Sequence, residues 1–307
     1  MPSTCAPGQW SYYAYDPMRS MTYVALSLFA VIFIAQLALT IKHRTRYMIP
    51  FVIGMLGEAC GYIFRRVSAD NSCGRGSALT WLFLILCPAL MCASFYMCFG
   101  RIIRFVGEKW TPIPSKWVTV TFVTIDIVSF VVQGAGGSLY SSDNTKIYPT
   151  AKAILLVGFI IQIIGLGLFA IFAVIYQIRA KRDGVPSGAW TRCLYTLYAG
   201  SICVLVRGIF RTIEFGTGRG GKDKGYLLSV EGYFYGLEFG PILLAGIILT
   251  LSYPGRYIPH APNTRMYPSL TGDDDLPSAS ASAEAGLAGE KGEPMTLDEG
   301  KRWWRRS

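Results

Sequence analysis

Four apolar stretches of this 307-residue chain each carry a trio of polar or ionisable residues at helical spacing. Glu58, Tyr62 and Arg65 fall at i, i+4 and i+7. Arg207, Arg211 and Glu214 repeat that spacing, as do Glu231, Tyr235 and Glu238. Asp126, Ser129 and Gln133 follow at i, i+3 and i+7. In an α-helix each trio shares one face. A charge in hydrocarbon is costly, so such residues turn toward a bundle interior or a wet cavity and mark a functional site. Five acids (Glu58, Asp126, Glu214, Glu231, Glu238) meet three arginines (Arg65, Arg207, Arg211). One reading is that the pairs satisfy each other and hold helices in register. The other uses the surplus acids, which can hold a proton or bind a cationic group. A lipid amine suits that chemistry, with its tail walled by Tyr62, Tyr96, Tyr233 and Tyr235. The substrate-binding candidates are therefore Glu58, Tyr62, Arg65, Asp126, Gln133, Arg207, Arg211, Glu214, Glu231, Tyr235 and Glu238.

The elements that must position these residues are membrane helices. The composition is 52% hydrophobic and only 16% charged, against roughly a quarter charged in soluble domains. Seven runs are long enough to span a bilayer: about 21–41, 47–64, 79–100, 117–137, 152–178, 193–213 and 231–252. The fold class expected is all-α, a bundle of seven transmembrane helices. Residues 1–20 form an N-terminal segment without the pattern of a cleavable signal. Residues 21–255 form the membrane domain, closed by the helix stop Pro254-Gly255. Residues 256–307 read as a disordered tail, acidic at Asp273-Asp274-Asp275 and ending in a cationic, aromatic run.

Orientation follows from Lys and Arg. With the N-terminus outside, the inner loops carry eleven and the outer segments nine. The expected topology is N-terminus outside and tail cytosolic. Helices two, four and six then run outward, and the polar trios gather in the outer half, with Asp126 and Gln162 near the middle. The net charge of +10 fits cytosolic loops on anionic lipid and calls for no nucleic acid.

Within the helices, Gly232, Gly236 and Gly240 make a small-residue ridge suited to close helix approach. Pro241 is expected to loosen helix seven, and Pro88 interrupts helix three. Six of the eight cysteines fall in or beside helices as small apolar residues. Cys5 and Cys73 both fall outside, where a disulfide can form; the sequence leaves open whether they pair.

Other chemistries are disfavoured. Gly216 to Lys222 matches a phosphate-loop spacing but ends in Asp223, where Ser or Thr should reach a metal, and it lies in an outer loop. His43 and His260 are the only histidines and form no cluster for a metal. Helix seven has no mid-helix Lys for retinal. No cofactor is expected, nor an enzymatic activity.

The spaced motifs resemble the fungal RTA-like family, also called the lipid-translocating exporter family. The matching stretches are Gly57-Glu58-x-x-Gly61-Tyr62-Ile63-x-Arg65, Pro88 to Ala93 leading to Tyr96-x-x-x-Gly100-Arg101, and Asp126-x-x-Ser129 through Gln133-x-x-Gly136-Gly137. Arg207-x-x-Phe210-Arg211-x-x-Glu214, followed by Glu231 and Tyr235, is the most telling. Glu238 stands where the family usually places an Asp. The resemblance covers about residues 12–255. It implies a multi-pass protein of the plasma membrane with an outside N-terminus, transport or release of amphipaths such as sphingoid long-chain bases, and stress or drug resistance. Some relatives are linked to porphyrin movement. Membrane lipids and an amphipathic small molecule are the partners expected; the oligomeric state is open. The rival class is a seven-helix receptor or sensor, which needs the same pocket but no path across the membrane. A scaffold whose buried pairs only stabilise the bundle is the third reading.

Overall fold

A computed structural model of the chain describes residues 19–70, 76–111, 114–140, 147–217, 232 and 235–257. The helices are α1 (Arg19–Lys42), α2 (Ile49–Asp70), α3 (Gly76–Val106), α4 (Ser115–Tyr140), α5 (Tyr148–Arg182), α6 (Ala189–Thr217) and α7 (Gly240–Leu251). No strand occurs among the described residues. A π-helical turn, Tyr235–Phe239, leads into α7. With it, all seven elements are long and apolar enough to cross a membrane. The chain is a multi-pass integral membrane protein. Several helices outrun the apolar runs that announced them, α3, α5 and α6 most of all: polar residues at the ends continue the backbone hydrogen bonding beyond the hydrocarbon, which hydropathy does not mark. Cys5, Cys73, Tyr233, Glu231 and the tail lie outside the described residues.

Successive helices pack side by side, and α7 returns to α1, which closes the ring. α3 also touches α5 and α6. Its apolar stretch is 61% buried, against 28% in α1 and α4, so α3 is the inner helix of the bundle. Large side chains such as Val31, Ile34, Ile41, Val131 and Ile178 point outward and exposed, while Glu58, Asp126, Arg207, Arg211 and Glu238 are buried. That inversion suits a lipid solvent, because each helix satisfies its own backbone and only its polar face needs partners.

Glycines set the closest helix contacts. Along α2, Gly54, Gly57 and Gly61 let α3 approach; a Cβ on Gly54 would lie 3.0 Å from the Cys87 carbonyl oxygen. Between α4 and α5, a Cβ on Gly136 would lie 2.7 Å from the backbone nitrogen of Leu155. At Gly236 the ridge expected in helix seven makes no such contact among the described residues. A Cβ on Gly236 would meet nothing within 4 Å. The reason is the π turn, whose wider winding moves residues four apart off a common face. The turn sits just ahead of Pro241, whose missing N–H interrupts the ordinary ladder. Gly246, further along, makes the contact instead, facing Ile32 and Met55.

Polar bonds seam α7 to α1. The Thr22 and Tyr235 hydroxyls are 3.2 Å apart, Gln36 Nε2 donates to Thr250 Oγ1 at 3.0 Å, and the Thr40 and Tyr253 hydroxyls are 3.0 Å apart. Tyr253 also bonds Thr45 in the α1–α2 connection. Nearby on that end, the Arg101 guanidinium sits 4.7 Å from the centroid of Tyr47.

Overpacking a helix contact costs about 1–3 kcal/mol. Gly136→Val therefore lowers the thermal midpoint of the detergent-solubilised protein, because the obstructing atoms are backbone. Gly134→Ala, which meets open space, leaves it unchanged. Equal midpoints for the two variants would show that α4 and α5 do not approach as described.

Candidate functional site

Arginines on α6 organise the centre. Arg207 and Arg211 lie one turn apart, and both donate to the same oxygen, Glu238 Oε1, each from Nη2 at 2.5 Å. Arg211 Nη1 also donates to Glu214 Oε2 at 2.8 Å. The two carboxylates facing Arg207 and Arg211 come from α6 and from the π turn ahead of α7, so one ionic chain binds two elements distant in sequence. Every member is nearly or wholly buried. Among these four residues the formal charges cancel, which is the condition for holding guanidinium groups away from water.

Arg207 has another duty. Its Nη2 also donates to the backbone carbonyl of Leu84 on α3. Pro88 stands four residues on and has no N–H, so the helix itself supplies no donor for that oxygen. The kink residue thus opens an acceptor that the α6 arginine fills. The rule that a helical proline frees the carbonyl four residues back identifies Leu84 from sequence; which donor would reach it does not follow from sequence.

Glu58 enters the same region from α2. It is buried, and within electrostatic reach of Arg207, Glu238 and Arg211. Yet it forms no ion pair with the described residues, and its Oε1 has no hydrogen-bond partner. One turn along α2, the Tyr62 ring stacks on Phe29 with centroids 5.5 Å apart and meets the edge of Phe239 at 5.9 Å. The Tyr62 hydroxyl also lacks a hydrogen-bond partner. Arg65 is buried, with its guanidinium carbon 5.7 Å from the Tyr235 ring centroid. So Glu58, Tyr62, Arg65, Arg207, Arg211, Glu214, Tyr235 and Glu238 converge, in the half of the bundle where α2 and α6 end.

Asp126 and Gln133 do not join them. On α4, Asp126 faces Tyr96 and Cys92 of α3. Those residues lie eight and twelve positions past Leu84, or about 12–18 Å along the helix. Gln133 instead turns to α5: its Nε2 donates to Ser129 Oγ at 2.8 Å and to Gln162 Oε1 at 3.0 Å. Ser129 Oγ donates to the Gly158 carbonyl at 2.7 Å. The α4 trio is therefore split between a bare acid and a satisfied amide–hydroxyl network. No group of three or more His, Cys, Asp or Glu is placed to hold a metal among the described residues.

The family profile described as RTA1 like protein matches residues 51–261. The chain belongs to the RTA1-like family. Protein RTM1 of Saccharomyces cerevisiae is 32% identical over 216 residues, covering 68% of each chain. Protoporphyrin uptake protein 1 of the same yeast is 32% identical over 210 residues, 66% of this chain and 67% of its own. Sphingoid long-chain base transporter RSB1, also from Saccharomyces cerevisiae, is 23% identical over 247 residues, 68% of this chain and 64% of its own. No solved structure matches. The matched region contains every converging residue named above, so the ion-pair centre lies within the part that defines the family.

The site predicts a division between two glutamates. Removing one partner of a buried ion pair costs about 3–5 kcal/mol. Glu238→Gln leaves Arg207 and Arg211 short of a carboxylate and lowers the thermal midpoint sharply. Glu58→Gln removes no ion pair and leaves the midpoint near wild type. Equal destabilisation by both would mean that Glu58 carries a structural pair after all.

Proposed function

We propose that this protein is a transporter that moves amphipathic lipids of the sphingoid long-chain-base class, or toxic amphipaths of similar shape, rather than an enzyme. The observation that carries this reading is Glu58: a buried acid beside an ion-pair centre that is already balanced, with an oxygen that nothing bonds. A carboxylate in that setting lacks a cation, and a lipid ammonium supplies one with three N–H donors. Tyr62, Phe29, Phe239 and Tyr235 form an aromatic wall next to it, which suits the first carbons of an alkyl chain.

The functions for which relatives are named point the same way. One carries sphingoid long-chain bases and one takes up protoporphyrin; both substrates are amphipaths with ionisable groups on a large apolar body. We place the site in the outer half of a plasma-membrane protein whose N-terminus is outside, following the Lys and Arg distribution. In this role Arg207, Arg211, Glu214 and Glu238 hold the helices and set the field, Arg65 and Tyr235 close the outer end, and Glu58 meets the amine. Export of toxic amphipaths would make the protein a resistance factor.

The test uses cells without their own exporters, expressing wild type or Glu58→Gln, loaded with labelled long-chain base. A hydrogen bond to a charged group contributes about 1.5–3 kcal/mol, so release by the variant should fall roughly 10- to 100-fold at equal surface abundance. Wild-type release unaffected by the variant removes Glu58 from the site. No release by wild type, with the protein at the surface, turns the reading to a porphyrin-like substrate or to a receptor that binds without transport.

A further inference from the structure

Asp126 is the acid that the ionic chain leaves aside. It is 4% exposed, and neither carboxyl oxygen has a hydrogen-bond partner. No Lys or Arg among the described residues pairs with it. From α3 it is faced by the buried Tyr96 hydroxyl, near enough to be its hydrogen-bond partner though not in full bonding geometry, and by the Cys92 thiol. Arg207 on α6 acts on Cys92 but is not among the groups acting on Asp126. Beyond Tyr96 stands Phe169 of α5, whose ring centroid is 4.7 Å from that of Tyr96. An ionised carboxylate with no cation beside it in such surroundings is costlier than a neutral one. A neutral acid, by contrast, offers one O–H and retains acceptor capacity, which a neighbouring hydroxyl can match.

The two directions along α4 differ. Toward its C-terminal end, Ser129 and Gln133 follow at the next two turns, and Gln133 bonds Gln162, which is only half-buried. That stripe is the polar direction leading from Asp126 along α4. Toward its N-terminal end the next residue on the face is Phe122, with its ring centroid 5.5 Å from both Tyr96 and Phe169. The three rings shut the site on that side, and the polar Thr119 and Ser115 lie beyond them.

We propose that Asp126 is a proton-binding site separate from the Glu58 centre, loaded along the Ser129–Gln133–Gln162 stripe and sealed on the other side by Phe122, Tyr96 and Phe169. In this arrangement Asp126 takes up a proton as an O–H bond on its carboxyl and releases it by the same stripe, or across the aromatic seal when α3 and α4 shift. That makes it the coupling site for a proton gradient. The coupling rests on the transport reading; the proton occupancy does not.

Infrared difference spectra of the purified full chain in nanodiscs test the occupancy. At neutral pH wild type shows the carbonyl stretch of a neutral carboxylic acid. The band disappears in Asp126→Asn, shifts in Tyr96→Phe and persists in Glu58→Gln. A band unchanged in Asp126→Asn, or absent from wild type, overturns the proposal. Should Asp126→Asn not fold, Tyr96→Phe decides: a shifted band supports the assignment and an unshifted one overturns it. Proteoliposomes with labelled long-chain base and an imposed pH gradient test the coupling. Wild-type flux changes several-fold with the gradient, whereas Asp126→Asn moves substrate at a rate indifferent to it. A full gradient response in Asp126→Asn overturns the coupling. No flux in wild type sinks the transport reading and the coupling together, and leaves the infrared band to decide the proton site by itself.

Discussion

A guanidinium group inside a membrane bundle must bring its counter-charge with it. Arg207 and Arg211 meet that demand by sharing one carboxylate oxygen of Glu238, with Glu214 balancing the second arginine. This chain of charges is what ties α6 to the start of α7, at a place where α7 is least regular. The π turn over Tyr235–Phe239 brings Glu238 to the arginines, and Pro241 makes such a turn inexpensive there. Helices in lipid gain little from apolar contact with one another, since the solvent is equally apolar. Close glycine packing and a few polar bonds therefore carry the specificity of assembly, and the buried ionic chain is the strongest of them.

The inner helix α3 connects this centre to the rest of the bundle. Pro88 removes one hydrogen bond from it, and the freed Leu84 carbonyl becomes a ligand of Arg207. A local defect in one helix is thus repaired by a side chain from another, and the repair holds Arg207 in place for Glu238. On the far side of the same helix, Tyr96, Phe99 and their aromatic neighbours on α4 and α5 build a dry column. One helix therefore separates an ionic environment from an aromatic one.

Two acids sit in these two environments without an ion pair, Glu58 in the first and Asp126 in the second. Their difference is electrostatic. Glu58 stands beside two arginines and a second carboxylate, Glu238, at the edge of an ionic centre, which is why a cationic ligand was proposed for it. Asp126 pairs with no arginine among the described residues, the setting that motivates the proton proposed for it. Two acids of comparable burial thus have different surroundings, decided by what stands on the neighbouring helix.

Much of this was legible in the sequence, and the limits have physical causes. Seven apolar runs specify seven helices because a membrane span must be about twenty apolar residues long and satisfy its own backbone. The i, i+4, i+7 trios specify which face of each helix is polar, since periodicity is a property of a single helix. That periodicity assigns Glu58, Arg207, Arg211, Glu214 and Glu238 to one interior, while the family rests on the residue motifs around them and on the profile match. Sequence could not say which acid each arginine would take, because pairing depends on the azimuth and depth of helices relative to one another. Nor could it separate Asp126 from the others, or split Asp126 from Gln133 on one helix face, since the face is wide enough to meet α3 on one edge and α5 on the other. The glycine ridge of helix seven failed for a related reason: a π turn changes the angular step, and only the packed structure decides where such a turn forms. Composition and periodicity determined what each helix offers; the tertiary arrangement alone decided what each polar group meets, because distances between helices are set by packing and not by the chain.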